Sequence, residues 1–375
     1  MRIGIDAKRA FFNSRGLGNY SRDTIRILTQ KENENQYFLY SPKKKLKIDF
    51  AYNRDNSEIC TPEGWHSNFS ALWRTRFVCD DIRRDRLDIY HGLSHELPYG
   101  IEKTGVRSVV TMHDLIFLKN PELFPFFDRY TFKKKYTHGC RIADRVIAIS
   151  EETKSDLINY LGEKEERIDV VYQGCNPIFH QPVTEEVLQD ARIRYSLPEQ
   201  FMLIVCAIEK RKNHQLILKA MRNPRVDLPL VVVGRSSEYQ KELFDMIREY
   251  RLEKRVLFLN EVETVQLPAL YKLSSLFVYP SFYEGFGIPI LEALTMGVPV
   301  VTSKGSCFKE TGGEAACYID PYDEEELSEN IIKILSDDDY RGGMVKEGLQ
   351  HAGKFTDESI AKNLLSTYKK ILEVV

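Results

Sequence analysis

The chain has 375 residues, enough for two domains that each bury a core. Its 53 Lys and Arg against 55 Asp and Glu leave a formal net charge of -2, so bulk charge makes no case for sequence-independent nucleic-acid binding. The seven cysteines are odd in number and contain no Cys-x-x-Cys pair, which argues against a disulfide framework or a zinc site and fits a reducing, cytoplasmic setting.

Met1-Arg2-Ile3-Gly4-Ile5-Asp6 opens on an alternating strand and leaves no room for a signal peptide. No apolar stretch approaches the roughly eighteen residues of a membrane span, so at most a peripheral contact with the inner face of a membrane is expected. Short β-rich runs then alternate with helical patterns: Arg2 to Asp6, Tyr37 to Tyr40, Asp88 to Tyr90, Ser108 to Met112, Arg145 to Ser150 and Ile168 to Tyr172. The alternation starts again with Phe201 to Cys206, Leu230 to Val233, Val256 to Leu259, Leu276 to Tyr279 and Val298 to Val301, separated by helices such as Glu238 to Tyr250 and Pro268 to Leu273. Strands without polar alternation, each followed by a helix, predict parallel sheets covered on both faces. Two such series predict two Rossmann-like, doubly wound α/β domains, with ligands in a crevice at the carboxyl ends of their strands. Gly174, Pro177 and Pro182 mark the boundary, giving domains of residues 1–175 and 176–355, and Thr356 caps a final helix of residues 356–375.

Arg15-Gly16-Leu17-Gly18-Asn19-Tyr20 lies between the first strand and a helix expected from about Tyr20 to Gln30. Ser21 stands where a dinucleotide fingerprint has its third glycine, and no acid ends the next strand, so no NAD site is expected. Gly16 and Gly18 are read as a loop whose amides meet a phosphate or an acceptor, a simple turn being the alternative. His113-Asp114 closes the strand Ser108 to Met112, where a histidine can orient a hydroxyl. His91 and His95 have helical i, i+4 spacing, but Gly92 and Pro98 disfavour a regular helix and no third ligand is evident, so no metal is expected there. Phe126 to Tyr136 mixes aromatics with Lys133, Lys134 and Lys135, which spread around a helix, so the run fits a membrane-surface contact and a packed helix with snorkelling lysines equally.

Glu209-Lys210-Arg211-Lys212-Asn213 follows the strand Phe201 to Cys206. The dipole disfavours cations at a helix N-terminus, so this run suits a leaving diphosphate better than a solvated helix end. The segment from Pro280 to Ala293 combines Glu284 and Glu292, eight residues apart, with Gly285, Gly287 and the helix-starting Pro289. The unpaired N-H groups of a helix start hold anions, glycines admit a close backbone approach, and carboxylates accept hydroxyl donors. Each residue alone has a structural explanation. Together they outline a site for a sugar nucleotide, one carboxylate for the sugar and the other for the ribose.

These residues resemble the retaining group 1 (family 4) glycosyltransferases of the GT-B architecture over essentially the whole chain. Glu284 to Glu292 looks like the E-x7-E element of that family, Glu209 to Asn213 like its E-P-R-K-N stretch, and Arg15 to Tyr20 like its glycine loop. Similarity continues through Asp144 to Ser150, Gln173 to Asn176, Glu310 and Asp320-Pro321. The resemblance implies two domains facing a central cleft, an acceptor site in the first, a nucleotide site in the second, and a C-terminal helix crossing back. It further implies that Glu284 binds donor-sugar hydroxyls, Glu292 the ribose, and that Gly285, Phe286, Gly287, Ile288 and Val262 complete the donor site. Arg211 and Lys212 would neutralise the diphosphate, and His113 would touch the transferred sugar. Cys206-Ala207 replaces a Gly-Arg pair of many relatives, which leaves more of the phosphate charge to Arg211 and Lys212 or makes the donor preference different. No Asp-x-Asp pair ends a strand, so neither metal nor other cofactor is expected; front-face attack would retain configuration, the departing phosphate oxygen taking the acceptor proton.

The opening Gly4 to Ala7 with Arg15 to Tyr20 resembles polysaccharide mannosyltransferases. The expected donor is therefore GDP-mannose, then a UDP-hexose, and the expected partner a glycan or lipid-linked acceptor. An inactive sugar-nucleotide-binding subunit, or a UDP-sugar epimerase on the same fold, are the alternatives. Acceptor specificity is assigned to the segments Asn53 to Trp73 and Leu93 to Gly105.

Overall fold

A computed structural model describes residues 1–373 and divides the chain into two compact units. Met1–Gly174, with the chain from Thr356 onward, forms the first; Cys175–Phe355 forms the second.

The first unit contains seven strands, β1 (Arg2–Asp6), β2 (Gln36–Tyr40), β3 (Ser57–Cys60), β4 (Ile89–Gly92), β5 (Arg107–Met112), β6 (Arg145–Ala148) and β7 (Ile168–Val170). The second contains six, β8 (Met202–Val205), β9 (Leu230–Val233), β10 (Val256–Leu259), β11 (Leu276–Tyr279), β12 (Val300–Ser303) and β13 (Cys317–Ile319). The sheet orders are β3-β2-β1-β4-β5-β6-β7 and β10-β9-β8-β11-β12-β13, with parallel pairing. In each sheet the chain winds outward from one central strand, then returns to its other side. With right-handed crossovers, that reversal puts helices on both faces and opens a crevice between β1 and β4, and another between β8 and β11.

Central strands such as β9, β11 and β12 are buried throughout, as apolar runs without alternation require. Two strands have no counterpart in the expected series, β3 and β13, and both are sheet edges. β3 reads Ser-Glu-Ile-Cys and is partly exposed, so it carries neither the apolar run nor the burial of a central strand. Short, polar edges also discourage pairing with other chains. In the first unit, Trp73, Tyr90, Val110, Met112, Val146 and Leu157 belong to one core cluster.

The last helix, Asp357–Glu373, packs within the first unit. Thr356 Oγ1 accepts from Ser359 N at 3.2 Å, the expected cap. Arg26 forks onto Asp357 at 2.5 and 3.0 Å, Lys370 reaches Asp169 at 2.6 Å, and the buried Tyr368 hydroxyl lies 2.7 Å from His91 Nδ1. Residues 374 and 375, the end of the expected helix, lie outside the described residues.

Candidate active site

In the second unit the segments leaving β8 and β11, the strands that flank the crevice, bring Arg211, Lys212 and Glu284 together. Lys210–Lys212 forms one short 3-10 turn, and Asn213 ends it in a left-handed conformation (φ 57°), anchored by its amide on Pro321 O at 2.7 Å. Glu284 Oε1 accepts from Lys212 Nζ at 2.6 Å, Ser281 Oγ at 2.7 Å and Tyr279 Oη at 3.0 Å. Its Oε2 meets Arg211 Nη1 at 2.8 Å. Arg211 also reaches Tyr283 O at 2.5 Å and Glu209 Oε1 at 2.7 Å. Burial raises the Glu284 pKa, but the charges of Arg211 and Lys212 and these hydrogen bonds outweigh it and hold it at about 2. Glu284 is therefore ionised at neutral pH and cannot act as a general acid. Tyr279 and Ser281 help fix it; a strand-end tyrosine and a serine after proline carry no sequence signal for that task.

This arrangement differs from two free cations awaiting a phosphate. Arg211 and Lys212 already face Glu209 and Glu284, so their positive charge is balanced, and an incoming anion has to share them or displace Glu209, the more exposed carboxylate.

Beyond Glu284 the chain turns into the helix Ile288–Thr295. Gly287 is its N-cap with φ 93°, a conformation that favours glycine, and it has no side chain with which to cap this end. Pro289 occupies the first turn, as expected. The Phe286 side chain is buried against Phe355, and its carbonyl accepts from Thr311 Oγ1. Glu292 is half-buried within the helix and accepts from Tyr271 Oη at 2.8 Å. Gly285 and Ile288 flank Phe286 and Gly287 and are half-buried, while Val262 lies in the loop after β10, also half-buried.

His113, Gly16 and Gly18 belong to the first unit. His113 follows β5, is 6% exposed, and its Nε2 lies 2.9 Å from Leu93 O. A carbonyl only accepts, so Nε2 carries the proton and Nδ1 is left as an acceptor. Burial, with the charge of Arg9 adding to it, lowers the His113 pKa to about 4, although the bond to Leu93 opposes this; the ring is neutral at pH 7. His95, with φ 66°, accepts from His113 N at 3.0 Å, and the Tyr20 ring meets His113 edge-on at 4.4 Å. His91 belongs to β4 and not to a helix with His95.

The glycine stretch corrects the expected loop. Gly16–Lys31 is one helix, so Gly16 and Gly18 form its first turn. A Cβ on Gly18 would fall 1.7 Å from Asn13 O, whereas one on Gly16 would meet nothing within 4 Å. Gly18 thus permits a tight approach of the preceding segment, and this contact explains its presence without any ligand.

Residues 190–351 match the family described as Glycosyl transferases group 1, and residues 14–178 match Glycosyltransferase Family 4. The chain is 32% identical to O-antigen chain mannosyltransferase B of Escherichia coli, over 76% of this chain and 75% of that protein. The chain belongs to the group 1 glycosyltransferases. Mannosylfructose-phosphate synthase of Agrobacterium fabrum is 29% identical over 66% of the chain and 58% of its own length. Two solved structures share the fold of this glycosyltransferase: sucrose-phosphate synthase from Thermosynechococcus elongatus (TM-score 0.76, 19% identity, all of both chains) and Anabaena HepE in complex with UDP and glucose (TM-score 0.73, 20% identity, 99% of this chain and 100% of that one). The architecture is GT-B, two Rossmann-like domains of parallel sheet.

Proposed function

We propose that this glycosyltransferase moves a hexose, with mannose the first choice, from a nucleotide-diphospho sugar to a glycan or lipid-linked acceptor in cell-surface polysaccharide synthesis. The observation that carries this reading is the Glu284 carboxylate, fixed between Arg211 and Lys212 just ahead of a helix N-terminus. Such a corner offers cations and N-H groups to a diphosphate and a carboxylate to sugar hydroxyls. The names of the mannosyltransferase and mannosylfructose-phosphate synthase relatives support mannose and a glycan product.

In this reading Glu284 takes donor-sugar hydroxyls through Oε2, and Glu292 takes the ribose. Gly285, Phe286, Gly287, Ile288 and Val262 line the donor, while Arg211 and Lys212 stabilise the departing nucleoside diphosphate without a metal. His113 Nδ1 accepts from a hydroxyl of the transferred sugar. Configuration is retained, and the leaving phosphate oxygen takes the acceptor proton, since Glu284 is too weak a base for that task. A panel of GDP- and UDP-sugars, read by nucleoside diphosphate release with and without oligosaccharide acceptors, tests it; GDP-mannose should give the strongest signal. Donor binding with no turnover in any combination would replace this reading with that of an inactive binding subunit.

A peripheral membrane contact from the cytoplasmic side is favoured by one further observation. In the helix Phe126–Ile142, Phe126, Phe127 and Tyr130 are 67%, 79% and 54% exposed, with Arg129 and Lys134 over the rings of Phe126 and Tyr130. No helix among the described residues is long and apolar enough to cross a membrane. Aromatics beside cations suit an anionic bilayer surface. Sedimentation with anionic liposomes should carry the protein down, and a supernatant unchanged by Phe126→Ser/Phe127→Ser would dismiss the contact.

A further inference from the structure

The first unit holds a cavity of about 380 Å³ whose lining includes Lys8 and Arg9, from just beyond β1, and Glu96, from beyond β4. Those two strands flank the point where the sheet order reverses, the usual place for a ligand in an open α/β sheet. Lys43, Arg74 and Lys135 supply the other cations. Arg74 lies in a single π-helical turn, Trp73–Phe77; it forks onto Asp6 at 2.5 and 3.0 Å and reaches Glu96 at 2.8 Å. Lys135 lies 3.0 Å from the other Glu96 oxygen.

Two carboxylates therefore serve Arg74 and Lys135. Lys8, Arg9 and Lys43 form no ion pair among the described residues. Arg9 Nε and His138 Nε2, both from residues that line this cavity, are buried without a hydrogen-bond partner. Burial, and then the charges of Arg74 and Arg9, lowers the Lys8 pKa, which reports cations crowded against one another. Withdrawing charge and donors from water without partners opposes folding, and an anion in the cavity would remove that opposition. Five cations against two carboxylates leave an excess of three positive charges, which matches a phosphate dianion or a diphosphate better than a single carboxylate. The charge of Arg9, which lines the cavity, also acts on His113 and His95 of the same unit.

We propose that this cavity binds a phosphoryl group of the acceptor. The proposal rests on the reading of the protein as a transferase whose first unit takes the acceptor. A phosphate anchored there would hold the acceptor on the first unit, and it could come from a lipid headgroup or from a soluble sugar phosphate.

Calorimetric titration of the full chain with octyl phosphate, glucose 6-phosphate and octyl glucoside tests the proposal. Both phosphates should bind and the glucoside should not; the tighter of the two phosphates identifies the source. Lys8→Gln and Arg9→Gln should weaken binding by about tenfold or more, and the exposed Lys43→Gln, which carries little folding risk, should weaken it in the same direction. Lys241→Gln, an exposed side chain of the second unit, should leave it unchanged. Absence of phosphate binding, indifference to all three first-unit substitutions, or loss in Lys241→Gln alone would each overturn the proposal. Transfer to acceptors without phosphate binding would sink this inference and leave the transferase reading; phosphate binding with a silent donor panel would do the reverse.

Discussion

Lys212 Nζ lies 2.6 Å from Glu284 Oε1, joining two buried side chains that stand 72 residues apart in the chain. The pair ties the segment leaving β8 to the segment leaving β11, and Arg211 doubles the tie from the other carboxylate oxygen. Structure and proposed chemistry therefore share the same charges.

The two ends of this pair are not equivalent. Lys212→Ala leaves Glu284 its bond to Arg211, whereas Glu284→Ala leaves two cations without their common carboxylate. Each variant should lower the transfer rate by about tenfold or more, roughly 1.4 kcal/mol of barrier. Glu284→Ala should also lose more stability, toward the roughly 3–5 kcal/mol typical of a broken buried pair. Urea unfolding of both single variants and the double variant checks the order; equal, additive losses would contradict the coupling.

Acid should unfold the protein in two stages. Burial lowers the pKa of His113 to about 4 and of His91 to about 3, and His95 is lowered too. The folded state then binds fewer protons than the unfolded one, so stability is full above the unfolded value near 6.5 and falls as pH drops toward 4. Glu284, depressed to about 2 from 4.5, adds a loss between those two values, on the order of 3 kcal/mol. Denaturation midpoints measured from pH 8 to pH 3 should decline from about 6.5 downward. A flat profile down to pH 4.5 would show that these rings are not buried as neutral groups.

Much of this was legible from residue patterns, and the exceptions have physical causes. Central strands announce themselves by uninterrupted apolar runs, while β3 and β13, at the sheet edges, do not. Glu284, Arg211 and Lys212 were visible because carboxylate, cations and helix start stand at strand ends. Their mutual pairing was not, since contacts across 72 residues leave no local trace. The same holds for Arg74, whose partner Asp6 is 68 residues away. The cavity around it does draw Ser70, Ala71, Glu96, Leu97 and Tyr99 from the two segments expected to hold acceptor specificity.

Gly18 and Gly16 make a matched test of the helix start. Gly18→Ala forces a Cβ against the Asn13 backbone, where no flexible side chain can yield, and should cost about 1–3 kcal/mol. Gly16→Ala enters open space in a helix and should be neutral or stabilising by up to about 1 kcal/mol. Thermal unfolding of the two variants should therefore shift in different directions. If Gly18→Ala keeps its stability but loses transfer, the glycine serves a ligand and not packing.

Tyr368→Phe tests how the last helix is held. The Tyr368 hydroxyl, His91 Nδ1, His91 Nε2, Thr111 Oγ1 and Tyr20 Oη form one buried chain of hydrogen bonds at 2.7, 2.8 and 3.1 Å. Neutral His91 has one donor and one acceptor nitrogen, so removing the tyrosine hydroxyl leaves one of its ring nitrogens unsatisfied, at a cost of about 1–3 kcal/mol. That cost falls on the first unit, because Asp357–Glu373 packs there. Amide exchange in this helix should quicken, while exchange in Cys175–Phe355 should not change. Arg26→Ala removes the forked pair to Asp357 at the start of the same helix, where the groups are partly exposed, and should loosen mainly its first turn. If Tyr368→Phe leaves exchange along the helix unaltered, apolar packing by Ile360, Leu364 and Ile371 holds it without the buried network.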